Sequence, residues 1–526
     1  MRSRMLPALV AGALTVTMLG QGAAAVEPRE VTGPSLPAQA SATAAERASA
    51  ALARAQALFA EKSPAAARRQ AETVGREASM VLNELRQLRG DLSPADRKRA
   101  DALLARPTPD GDVIFGQTVI YDDGEATPVC GDNICVHYAN GPDSDAPPTT
   151  DTTPDNGIPD EVDRALATAE QVHSTYVDSG YRSPDRDGDL GGSTDMIDVY
   201  LADVGAIGLY GYCTTDQDPK FDGTSNYWAY CVIDDDFRAG QFPTNTPAEN
   251  QQVTLAHEYF HAVQFAYDAN EASWFLEATA TWAEDEVFDS VNDNRFYLKF
   301  GQMGAPHIPL NTFAGLIHYG NWIFFRFLTE KLGSQTGSMP NLVLETIRRG
   351  SNRTGQPDAT AMQAIQKELK QRGTTLAKVY QQFAVANRAP KKFYDEGRNY
   401  RAAAPLKTFR LSSSHRSTGK WFAKVFHLSN APVRYKPAAG TGARDWKLRI
   451  TVNMPPKKAG PAARVLVFKK SGKVAVSTIR LSPKTTGSKT VSFSSRTVKH
   501  VELVIINSST TVNKGKTVFS GRIFRS

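Results

Sequence analysis

Charge divides this chain into two blocks of opposite sign. Residues 108–300 carry 7 Lys/Arg against 37 Asp/Glu, a net of −30, and residues 401–526 carry 26 Lys/Arg against only Asp445 and Glu502, a net of +24. The overall charge of +6 conceals this division. An acidic module followed by a basic one argues for a boundary near residue 400. At 526 residues the chain also exceeds one ordinary hydrophobic core, so two to four folded units are expected.

The apolar pattern changes at the same boundary. Residues 301–400 have helical spacing over Gly320–Lys331, Met339–Arg349, Thr360–Arg372 and Leu376–Asn387. From about Ala402 short strand-like runs alternate with Gly, Pro and Ser turns: 408–412, 421–427, 446–452, 463–468, 474–481, 490–493, 501–506 and 516–524. The expected fold class is multidomain α+β, with a largely helical domain over 108–400 and a C-terminal β-sandwich over 401–526.

Ahead of these lie two further segments. Arg2 and Arg4, the mostly apolar run from Met5 to Leu19 and Ala23-Ala24-Ala25 read as a secretory signal, residues 1–25. No later apolar run reaches the ~18 residues that span a bilayer, so a secreted chain without a membrane span is expected. Residues 26–107 read as a helical segment, with Ser93-Pro94 starting one helix. This segment is either a pro-region masking a site in the next domain or a helical hairpin packed on it. Four cysteines fall in two local pairs, Cys130 with Cys135 and Cys213 with Cys231. Two disulfides are expected, paired by proximity among three possible connectivities.

The chemistry concentrates at His257-Glu258-Tyr259-Phe260-His261. Thr246 and Pro247 start a helix there, and residues four apart on a helix share a face, so both imidazoles can reach one ion. Glu258, about 100° round the helix from His257, suits a base beside a metal-bound water. Apolar neighbours such as Leu255, Phe260 and Val263 imply a buried helix, in which unpartnered polar groups are unfavourable. A third protein ligand is needed. The next helix, expected to be capped by Ser273, offers Glu277 among Trp274, Phe275, Leu276 and Ala278; Glu284, two turns later, is the rival.

HEYFH followed by WFLEATA resembles the gluzincin zinc metallopeptidases, which include thermolysin and the zinc aminopeptidases. The resemblance covers the metal-site segment. It implies His257, His261 and Glu277 as zinc ligands, Glu258 as general base and a polypeptide as substrate. The interval from His261 to Glu277 is shorter than in those groups. Thr281 stands where thermolysin-like enzymes place an Asp that orients a zinc-bound His. The amine-binding G-x-M-E-N motif of the exopeptidases is absent, which points to an endopeptidase. Related enzymes supply an oxyanion donor from a helix beyond the third ligand, and Tyr319, then His318, are the candidates here.

Other features are secondary. Asp185, Asp187 and Asp189 alternate around Gly188 like part of a calcium loop, and 155–160 is a similar acidic turn. Residues 208–213 read as an edge strand able to hold an extended peptide. No nucleic-acid motif accompanies the basic block, leaving an anionic cell-surface polymer or the chain's own acidic module as its expected partner. Two rival functions differ in class: a calcium-stiffened adhesion protein with a degenerate zinc site, and a zinc hydrolase of cell-wall amides.

Overall fold

The structure, a computed structural model, describes residues 29–31, 42–74, 76–107, 124–141, 146–191, 195–218, 220, 222–352, 359–513 and 515–526. The expected signal segment 1–25 lies outside the described residues, as does 113–121, which reads in sequence as a strand candidate. The molecule is multidomain and α+β. A strand, β1 (Arg29–Val31), is followed by helices α1 (Ala44–Phe59), α2 (Pro64–Val74), α3 (Ala78–Leu88) and α4 (Pro94–Leu104). Ser93 caps α4 with Pro94 in its first turn, as expected.

Strands β2 (Val129–Cys130), β3 (Ile134–Tyr138), β4 (Ile197–Ala202), β5 (Gly211–Thr214) and β6 (Tyr230–Asp234) form one sheet in the order β2-β3-β4-β6-β5. β3, β4 and β6 are parallel, and β2 and β5 are antiparallel edges. Disulfides join Cys130 to Cys135 and Cys213 to Cys231, each across one of these edge pairings. β4 is buried along its whole length because both faces of the sheet are covered. Its side chains alternate between two cores. Tyr200 and Ala202 meet Leu52, Phe59, Leu82 and Leu85 of the N-terminal helices. Val199 and Leu201 meet the core built by α5 (Asp160–Asp178), α6 (Pro247–Asp268) and α7 (Ser273–Val287).

α6 starts in a capping box, in which Thr246 and Glu249 satisfy each other's backbone N–H groups. α7 begins at Ser273 with Ala272 in the cap position and no capping side chain, so Ser273 is not the cap the sequence suggests. Beyond lie α8 (Ile317–Gly320), α9 (Trp322–Leu332), a two-residue ladder of β7 (Gln335–Thr336) and β8 (Met339–Pro340), α10 (Leu342–Gly350), α11 (Ala361–Gln371), α12 (Leu376–Ala386) and α13 (Pro390–Phe393). The helix expected from Met339 starts at Leu342 because Met339 and Pro340 pair with β7.

The C-terminal region comprises β9 (Lys407–Leu411), β10 (Trp421–Val425), β11 (Ser429–Pro437), β12 (Trp446–Asn453), β13 (Pro461–Lys469), β14 (Val474–Thr478), β15 (Thr486–Ser492), β16 (Val498–Asn507) and β17 (Gly515–Arg525). Two five-stranded sheets result, β1-β10-β17-β12-β15 and β14-β13-β16-β11-β9. Leu448, Ile450 and Phe519 of the first share a core with Val433, Val465 and Leu503 of the second. In these two sheets β1 and β11 were not expected; β11 carries Pro432 and Pro437, which strand patterns disfavour.

Residue 400 is not a break in packing. On β16, Leu503 and Ile505 face the paired sheets, whereas Val504 and Ile506 join the helical core. Arg388, just beyond α12, reaches the buried Glu502 at 2.9 Å, and Arg434 reaches the same carboxylate at 2.7 Å.

Candidate metal centre

Both faces of α6 are packed, so His257, Glu258 and His261 are fully buried; Glu277, from α7, is buried beside them. His257 Nε2 lies 3.1 Å and His261 Nε2 3.8 Å from Glu277 Oε2. One ligand atom from each residue falls within 4.8 Å of the others. Donors at about 2.0–2.2 Å around a tetrahedral ion stand roughly 3.3–3.6 Å apart, so this spacing fits a cation at their centre.

The far side of each ring is already occupied. His257 Nδ1 meets Glu284 Oε1 at 2.6 Å, and His261 Nδ1 meets Gln264 Oε1 at 2.8 Å. Gln264 in turn donates to the Leu276 carbonyl and the Thr279 hydroxyl, locking it to α7. These contacts place the ring protons on Nδ1 and turn both Nε2 lone pairs inward. Glu284, the rival ligand, therefore stands behind His257. Thr281 bonds back to the Glu277 carbonyl of its own helix, so the orienting carboxylate comes from Glu284, seven residues beyond Glu277.

The electrostatics of these side chains suit a bound cation. Burial pushes the Glu258 carboxyl up to about 8, although Ser79 and Arg76 pull the other way. Glu284 is likewise raised to about 8 by burial, against Arg76. Burial, then Glu258, Glu77 and Glu284, holds Glu277 well above the usual carboxylate range. Burial holds His257 and His261 well below the usual imidazole range, which keeps them in the neutral, ligating form. His261 Nε2, Glu258 Oε1 and Glu277 Oε1 are buried without hydrogen-bond partners. A bound cation would satisfy groups that otherwise lose their hydration uncompensated.

Tyr319 and His318 both reach this centre from α8. The Tyr319 ring lies 6.0 Å from that of His257, and its hydroxyl is directed toward Glu277 without meeting hydrogen-bond geometry. His318 stacks beside Tyr319 at 4.3 Å, and burial together with His257 lowers it to about 3.

The sequence offered a masking segment over 26–107 as one alternative but did not mark the residues that cover the site. Ser79, at the start of α3, donates to Glu258 Oε2 at 2.6 Å and accepts the Cys213 N–H of edge strand β5 at 2.8 Å. Arg76 donates to Glu284 at 2.9 Å, forms an ion pair with Asp293 at 3.0 Å and lies over the Tyr210 ring at 4.7 Å. Glu77 stands 3.9 Å from His318, and burial raises it to about 7. No local signal marks these residues, because Ser79 and Glu258 are 179 positions apart.

The proposed calcium loop is not assembled. Asp187 is engaged by Arg106, and Asp185 accepts from Asn226 at 2.7 Å. Among the described residues, the groups of acids and histidines close enough to share an ion include none of Asp185, Asp187 and Asp189. The second acidic turn is folded on itself: Asp160 accepts the N–H groups of Thr152 and Thr153.

No protein-family model matches this chain, and no curated protein matches it in sequence. A solved structure titled "A novel family GH115 4-O-Methyl-alpha-glucuronidase, BtGH115A, with specificity for decorated arabinogalactans" shares 8% identity and a TM-score of 0.14, over 53% of this chain and 38% of that one. A likeness at that level carries no argument about fold or function.

Proposed function

We propose that this protein is a secreted zinc-dependent endopeptidase with a zincin-like catalytic domain, folded in a latent form. One observation carries the reading: His257, His261 and Glu277 converge, with the outer nitrogens of both rings already held by Glu284 and Gln264. Two imidazoles and one carboxylate, with a position left for water, form the donor set of a catalytic zinc site. When bound, zinc supplies a Lewis acid and a water acidic enough to react near neutral pH. Glu258, through its unpartnered Oε1, would accept a proton from the attacking water and pass it to the leaving amine. Tyr319 donates its hydroxyl to the developing oxyanion, with neutral His318 as the second donor.

Latency rests on Ser79 and Arg76. Ser79 holds both the base and an edge-strand N–H of the kind an extended peptide uses. Residues 26–107 are therefore read as a pro-region whose removal or displacement admits substrate. Two disulfides are compatible with an extracellular setting. The C-terminal sheets are read as a β-sandwich whose basic surface suits an anionic cell-surface polymer.

The test is zinc content and casein digestion for the full chain, Ser79→Ala and Glu258→Gln, with and without chelator. Zinc should be bound by all three, and digestion should be faster in Ser79→Ala and lost in Glu258→Gln. Digestion that survives Glu258→Gln or zinc removal would end the proposal. A panel containing cell-wall amides separates peptidase from amidase.

A further inference from the structure

A second cluster of buried acids lies outside the candidate metal centre. β4 and β6 are adjacent parallel strands in which Ala202 pairs with Asp234, so the next residues, Asp203 and Asp235, leave the sheet side by side. Asp203, Asp234 and Asp235 are all buried, and their ligand atoms lie within 4.8 Å of one another. Arg238 is the cation beside them; it is 47% exposed, bonding Asp203 at 3.1 Å and lying 3.6 Å from Asp236. Among the described residues, four carboxylates thus have one half-solvated guanidinium paired with them. Desolvating each carboxylate costs several kcal/mol, so the excess negative charge needs a partner.

Two further observations point to a ligand. Asp235 Oδ1 and Gln241 Oε1 are buried with no hydrogen-bond partner. A Cβ on Gly205 would stand 2.5 Å from Asp234 Oδ1 and 2.6 Å from Gln241 Oε1, so the two oxygens line one small cradle. The cradle is built rather than incidental. Gly205 and Phe237 donate backbone N–H groups to Asp234 at 2.6 and 2.7 Å, Ala206 donates to Asp203 at 2.9 Å, and Gln241 Nε2 bonds Asp203 at 2.6 Å.

We propose that Asp203, Asp234, Asp235 and Gln241 bind a structural calcium ion at the ends of β4 and β6. The donors are all oxygen, with no imidazole or thiolate, which suits a hard cation and disfavours zinc. Irregular carboxylate and amide donors fit the flexible coordination of calcium better than the strict octahedron of magnesium. Water completes the shell. The ion fastens the sheet immediately before the loop that leads into α6, and this role is independent of any hydrolytic activity.

The test uses the metal-stripped full-length chain, titrated with CaCl2 or MgCl2 in a calorimeter and melted in each salt. Calcium should bind and raise the melting temperature, with magnesium at least about tenfold weaker. Asp235→Asn, an isosteric change, should weaken calcium about tenfold or more, whereas Asp185→Asn should leave it unchanged. Gln241→Met removes one oxygen ligand at similar size and should also weaken calcium binding, which keeps the test open if Asp235→Asn folds poorly. Failure of the wild type to bind calcium overturns the proposal. So does an affinity indifferent to both cradle substitutions, or lost in Asp185→Asn.

Discussion

Glu277 and Glu502 are equally inaccessible to solvent, one in the helical core and one where that core meets the C-terminal sheets, yet their surroundings are opposite. Burial alone would raise both. At Glu502 the guanidinium groups of Arg388 and Arg434 overcome burial and hold the carboxyl below its ordinary value. At Glu277 the neighbours are Glu258, Glu77 and Glu284, which add to burial. A buried carboxylate with its cation supplied by the chain is a joint between units. A buried carboxylate among other acids and neutral imidazoles has no such cation from the chain, which is what the proposed zinc would supply.

The largest effect expected is at the centre itself. Glu258→Gln should retain zinc and lose about 10²–10⁴-fold in peptide hydrolysis, read by zinc analysis beside a casein assay. Next comes a pair of substitutions with opposite signs. Glu502→Gln should cost about 3–5 kcal/mol in denaturant unfolding, because two guanidinium groups lose their partner. Glu277→Gln, measured on metal-free protein at pH 7, should raise stability, because it removes a carboxyl whose ionised form burial and acidic neighbours disfavour. Equal losses from both would break the contrast drawn between them.

Smaller effects sharpen the same contrast. Gln264→Ala frees the His261 ring and should weaken zinc about 10–100-fold, measured by competition with a chromogenic chelator. pH should separate the two carboxylate sites most gently. Glu258 and Glu284 are raised by burial to about 8, so their folded forms favour the proton. The metal-free chain should therefore lose stability as pH rises from about 4.5 to 8, and zinc should flatten that slope. Glu502 is depressed, so its contribution is present above about pH 4.5 and is lost as pH falls through its lowered value. Melting temperatures across pH, with and without zinc and in Arg388→Ala, read both slopes.

Much of this was legible because it is local. The interval from His257 to His261 sets two imidazoles on one helical face, and the apolar neighbours of Glu277 announce its burial. Most C-terminal strands follow from period-two alternation, as in β12. The failures share a cause. The acids of 185–189 looked like a cation loop, but Arg106, 81 residues before Asp187, engages that carboxylate. Asp234 and Asp235 drew no reading from the sequence, because only the pairing of β4 with β6 buries them against Asp203.

By itself, the sequence determined which donor atoms the chain owns, how they are spaced along each helix, and where helical periodicity gives way to alternation. Only the tertiary structure decided that Glu277 faces the imidazoles while Glu284 stands behind one, and that Ser79 covers the base. The direction of a side chain on its own element follows from local backbone geometry. Whether a charge is hydrated, paired or left waiting depends on residues brought beside it from far along the chain, and no local pattern encodes that meeting.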